Sequence, residues 1–122
     1  MLVVSVSMRA PVSGPVAPVN TALPVIGGAT TVGSTLTTTH GTWTGSPAPT
    51  YAYQWKRGGA NISGATANSN LLVTADLAST ITVTVTATNT AGSDSATSSG
   101  VGPITTPGST NYTATYLSQG IY

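Results

Sequence analysis

Apolar and polar residues alternate with a period of two along two stretches of the chain. At residues 81–88, Ile81, Val83, Val85 and Ala87 fall on one side of an extended backbone and four threonines on the other. At residues 50–57, Tyr51, Tyr53 and Trp55 alternate with Ala52, Gln54 and Lys56. Each pattern predicts a strand with one buried and one wettable face. Elsewhere short β-rich runs are broken by turn residues every 8 to 12 positions, the spacing of a β-sandwich. The predicted order begins with an edge strand near residues 23–26, where Pro24 is tolerable only at an edge. A strand over 35–39 with Leu36 inward follows, then a long connection over 40–49 and the strand over 50–57. Gly58-Gly59 predicts a tight hairpin into 60–62. A loop over 63–68, a strand over 70–74 with Leu72 inward, a corner at 76–79 and the threonine strand over 81–88 come next. A turn at 89–92 and a last strand over 93–99 lead to a closing segment, 101–104.

The predicted core is Trp55, Tyr53, Leu36, Leu72, Ile81, Val83 and Val85. Trp55 is its centre, because a buried indole removes about 150–250 Å² from water, roughly 4–6 kcal/mol before entropy is charged. Composition sharpens this picture. Only 4% of residues are charged, and they are Arg9, Lys56, Arg57, Asp76 and Asp94. Thr, Ser, Asn and Gly must therefore wet the surface, and a net charge of +1 leaves no electrostatic footprint for nucleic acid or an anionic membrane. The absence of cysteine excludes disulfides and thiolate chemistry.

The two ends differ in texture from the middle. Residues 1–20 join an apolar opening to a run with prolines at 11, 15 and 18, which favours extended geometry and cannot enter the middle of a sheet. The opening lacks a basic n-region, is interrupted by Arg9 and is too short for a signal core or a membrane span, so no export signal is expected. Residues 106–122 carry three of the five tyrosines, with Tyr112, Ala114 and Tyr116 alternating. The expected organisation is an extended Pro-rich arm (1–20), one β-sandwich (21–105) and a Tyr-rich tail (106–122).

Residues 35–104 carry Gly41-Thr42-Trp43, the run 51–57, Ile62-Ser63-Gly64-Ala65-Thr66, Thr74-Ala75-Asp76, the run 84–89 and Ala91-Gly92-Ser93. In these motifs the chain resembles the bacteriophage and bacterial immunoglobulin-like domains of virion decoration, fibre and tail proteins and of bacterial surface proteins. The resemblance covers about two-thirds of the chain and implies an all-β fold: an immunoglobulin-like sandwich of about seven antiparallel strands without a disulfide, flanked by extended arms. Such domains serve as spacers, decorations and adhesion modules, so the likeness is specific to fold and general as to function. Two departures stand out. The inter-sheet cysteines of antibody-type domains are replaced by Leu36 and by Val83 or Val85, and Asn70 stands where the family places an aromatic.

Few side chains offer chemistry. His40 with Asp76 or Asp94 and a serine lacks the nucleophile elbow of a catalytic triad, so no catalytic residues are assigned and His40 reads as a loop residue. The two isolated aspartates cannot complete a Ca²⁺ shell; no metal or cofactor is expected, and Asp76 reads as a backbone cap at its corner. Lys56-Arg57 reads as a solvated pair beside the hairpin. Asn61-Ile62-Ser63 and Asn111-Tyr112-Thr113 match the glycosylation sequon by chance. Trp43 is a candidate glycan contact, set against a plainer role covering one open end of the sandwich while Tyr51 and Tyr53 line the core.

Taken with the resemblance, these features imply a non-enzymatic structural protein of a phage particle, made in the host cytoplasm and displayed on the virion surface. Its partners would be a major capsid or tail protein, further copies of itself and, as a weaker candidate, host-surface carbohydrate, with no nucleic acid and no membrane. Leu2, Val3, Val4 and Val6 at one end and Tyr112, Tyr116, Leu117, Ile121 and Tyr122 at the other are the anchoring candidates. The N-terminal arm is favoured because its valines could add a strand to a neighbour's sheet. The alternative is a carbohydrate-binding or adhesion module of a bacterial surface protein.

Overall fold

A computed structural model gives the structure of residues 14–108. The anchoring candidates at positions 2–6 and 112–122 lie outside the described residues. The backbone is all-β. Its strands are β1 (Val16–Ala22), β2 (Ile26–Gly27), β3 (Thr35–Thr38), β4 (Thr42–Ser46), β5 (Thr50–Arg57), β6 (Ala60–Asn61), β7 (Ser69–Leu71), β8 (Ile81–Asn89) and β9 (Gly92–Thr97). A 3-10 turn spans Thr74–Asp76.

β6-β5-β8-β9 form one antiparallel sheet, β2-β3-β7 the facing one, and β1-β4 a separate ribbon. The two long strands with the clearest alternation pair along their whole length, from Thr50↔Thr88 to Arg57↔Ile81, with Trp55 opposite Val83. Gly58 and Gly59, both at positive φ, make the predicted tight turn that sets Arg57 against Ala60.

The inward side chains of both sheets close on Trp55. Trp55, Leu36, Ile81 and Val83 are fully buried, and Leu72 and Ile104 are nearly so, in one cluster. Val85, Ala87 and Ala96 are also buried. Tyr53 packs against this cluster but is only half-buried. It lies nearer the end of the sandwich, two residues short of the tryptophan. Ile104 reaches the core because its segment continues the β-structure: Val101 bridges to Ile81, Ile104 to Leu77 and Thr105 to Thr31. The indole N–H of Trp55 donates to Ala67 O at 2.8 Å, so the buried ring leaves no donor unpaired. The loop that accepts it is held by Gln54, whose Nε2 donates to Ile62 O at 2.9 Å.

Four stretches depart from the sequence-based expectation. The Pro-rich run enters the fold, since Val16–Ala22 is a strand paired with β4. Proline is accommodated because the register slips between Val16 and Val19, leaving Pro18 in a bulge where no ladder donor is required; its ring is buried. Residues 23–25 connect two strands, with Pro24 buried and only Ile26–Gly27 pairing with β3. Thr42–Ser46 is a strand within the stretch read as connection; the ribbon with β1 satisfies its backbone. The strand expected over 70–74 is Ser69–Leu71, because Asp76 bends the chain after it.

The chain enters and leaves at opposite poles. Val16 O accepts a 2.7 Å hydrogen bond from Asn89 Nδ2, at the C-terminal end of β8. Thr105 is bonded to Thr30 and Val32, and Ile104 N donates to Ser79 O at 3.1 Å, beyond the other end of β8. The nine residues of β8 set these poles roughly 27 Å apart.

Candidate functional site

The pole at which the chain enters holds most of the surface suited to a contact. β4 and the start of β5 bring three rings together: His40 stacks on Tyr51 with centroids 4.0 Å apart and planes 5° from parallel, and Trp43 tilts toward Tyr51 at 6.4 Å and 47°. His40, placed by the sequence in a plain loop, belongs to this cluster. Gly41 lets the backbone turn there: its φ is +80° and a Cβ would press on the Ala22 carbonyl and on the Leu23-Pro24 link. Trp43 donates its indole N–H to His40 O at 2.6 Å, which fixes the ring and spends its polar handle. Trp43 and Tyr51 are half-buried, and His40 is exposed.

Val16, Val19, Leu23 and Val25 line the entering segment, from β1 into the link that follows it, with 51–63% of their surfaces exposed. Val16 and Val19 belong to β1, and Val25 is tied to Thr39 by Val25 N→Thr39 Oγ1 at 3.0 Å. Between Arg9 and Lys56 the sequence has no charged residue, so this apolar rim carries no charge of its own. Asn89 pins the pole: its Nδ2 donates to Val16 O and to Pro47 O at 2.9 Å, and its Oδ1 accepts from Ala91 N at 2.9 Å. Gly45 fits beside it because a Cβ would lie 3.1 Å from Pro18 Cα. Sequence reading missed the rim because scattered apolar residues are ordinary until the fold gathers them.

Asp76 and Asp94 are each held by nearby groups. Asp76 is 1% exposed, and its Oδ2 accepts from Val73 N at 2.8 Å, so it caps the corner that precedes it. Its Oδ1 accepts from Arg57 Nε at 2.6 Å, which corrects the reading of Arg57 as a solvated side chain. Two distant parts of the sequence were each read alone there; the corner after β7 folds back against the end of β5. Asp94 caps its own neighbour, accepting from Ser95 N at 2.9 Å. Among the described residues no group of three or more His, Asp or Glu side chains gathers to hold a metal, and no helix is long and apolar enough to cross a membrane.

Comparison of the chain with protein-family models, with curated proteins and with solved structures finds no match. The functional reading rests on the pole itself.

Proposed function

We propose that this chain is a structural protein of a phage particle that displays an immunoglobulin-like domain on the virion surface and is anchored through its N-terminal segment to a capsid or tail protein. The observation that carries the reading is the uncharged apolar rim of Val16, Val19, Leu23 and Val25, set along the segment by which the chain enters the domain. A rim of this kind loses little on desolvation and gains by being covered, so segment and rim together form one docking face. The sheet orders β2-β3-β7 and β6-β5-β8-β9 match the partition of an immunoglobulin-type sandwich, which supports the family resemblance. With the N-terminal pole anchored, the opposite pole, where residue 108 leaves the domain, points away from the particle.

The test is incorporation into particles. Val19→Asp with Val25→Asp, both at exposed positions, should leave folding intact and reduce the number of copies per particle, measured by quantitative mass spectrometry of purified virions. Full occupancy by the double variant would overturn this docking face.

A second reading is favoured by the His40–Tyr51–Trp43 cluster, since stacked rings at a surface suit the C–H faces of a sugar. Its measure is tryptophan fluorescence on titration with a glycan panel. A response lost in His40→Ala, which keeps Trp43 as the reporter, would support it, and a flat response in the parent chain would exclude it.

A further inference from the structure

Among the described residues, β7 is the strand edge of the two main sheets left open and apolar. The edge at β9 has β1 alongside, with Ala17 Cβ 3.6 Å from where a Gly92 side chain would begin. β6 and β2 are two residues long, too short to template a partner. At the two ends of β7, Leu72 N and O bond to Ser34 O and Gly33 N, and Asn68 O accepts from Thr38 N. Antiparallel alternation then turns the N–H and C=O of Asn70 toward β3 and those of Ser69 and Leu71 outward. Val73 is closed off by Asp76, which takes its N–H and donates to its carbonyl. Four backbone groups are left facing out, flanked by Leu71 at 56% and Val73 at 43% exposure. No charged residue occurs from 58 to 75, so the usual lysine guard of an edge is missing.

The chain's own C-terminal segment leaves the domain within reach. Thr105 O accepts from Val32 N, and the next residue, Gly33, donates to Leu72 O. Thr105 is thus about two strand spacings, roughly 10 Å, from β7, and the open side is one spacing further. Residues 106–111 extended cover about 20 Å, enough to carry residue 112 past the end of β7. A segment turning back from that pole would run antiparallel to β7, the favoured sense for a short added strand. Tyr112, Ala114 and Tyr116 alternate there with Thr113 and Thr115, without proline or charge.

We propose that residues 112–116 pair with the open side of β7 in their own domain, as a fourth strand on the β2-β3-β7 sheet. The tether makes this pairing intramolecular and favours it over a second copy at low concentration. The proposal stands apart from the virion reading and is tested on the purified full-length chain.

Amide hydrogen exchange followed by NMR reads the edge directly. The Ser69 and Leu71 amides should exchange about tenfold or more slowly in the parent than in Ala114→Pro, which removes a ladder donor. The Asn70 and Leu72 amides, which face β3, should be equal in both. Because the chain has no cysteine, Leu71→Cys combined singly with Tyr112→Cys, Ala114→Cys or Tyr116→Cys should give an intramolecular disulfide in the monomer for at least one pair. Equal, fast exchange at Ser69 and Leu71 in parent and variant overturns the proposal. So does cross-linking found only between chains, which would assign the edge to a second copy.

Discussion

Asn70 gives the sharpest test of how this core is built. It shares the inner face of the sheet with Leu72 and lies opposite Leu36, both essentially buried, and its Nδ2 is buried without a hydrogen-bond partner among the described residues. A buried donor left unpaired costs about 1–3 kcal/mol. Leucine has the same number of side-chain heavy atoms, so Asn70→Leu removes the orphan donor, while its tetrahedral, bulkier methyls offset part of that gain in a packed core. The variant should be about 1–2 kcal/mol more stable, which for a domain of this size raises Tm by about 4–8 °C per kcal/mol. Urea unfolding followed by tryptophan fluorescence reads this through Trp55; with an unchanged m-value of about 1–2 kcal/mol/M, the midpoint should rise by about 1 M. Asn70→Asp, which buries a charge at the same place, should move it the other way. A midpoint for Asn70→Leu at or below the parent's, at equal m, would show that the amide has a role the packing does not reveal.

Asp76→Ala removes a buried acceptor of two hydrogen bonds; because Arg57 is 31% exposed and can rehydrate, the loss should be about 2–3 kcal/mol, below the 3–5 of a fully buried pair. The double variant Arg57→Met with Asp76→Leu should lose less than the sum of its singles, as a thermal-melt cycle would register. Trp55→Phe opens a gap and strands the Ala67 carbonyl, at a cost of about 2–4 kcal/mol in chemical denaturation. Gly41→Ala, at φ +80° against the Ala22 carbonyl, should cost at least about 1 kcal/mol, and its near-ultraviolet circular dichroism should change as the His40–Tyr51 stack shifts.

How much was legible in the sequence depended on whether an element's signal was local. Residues 50–57 and 81–88 each carry a full alternation, and the structure pairs them in register with Trp55 at the centre. Leu36 and Leu72 were found by the same logic on shorter strands. What was hidden depends on tertiary context. β1 reads as an arm because proline is a poor strand former, yet an edge ribbon with a bulge needs no donor from Pro18. The Arg57–Asp76 pair joins residues nineteen apart through a corner that no local pattern foretells. The cluster of His40, Trp43 and Tyr51 needed the β4 strand, and Thr42–Ser46, broken by glycine and short of β-branched apolar residues, looked like a loop. Ile104 shows the same limit: a lone isoleucine among Gly, Pro and Thr becomes core only because its segment lies beside Ser79 and Ala78.

The outer face of the β8–β9 pair is wetted by hydroxyls that bond to each other, Thr84 Oγ1 with Thr97 Oγ1 and Thr86 Oγ1 with Ser95 Oγ, both at 2.8 Å. Each hydroxyl can donate to its neighbour and still accept from water, and none titrates. The contribution of such a face to solvation is insensitive to ionic strength and to pH, because it carries no charge for salt to screen and no group that ionises as acid gives way to alkali.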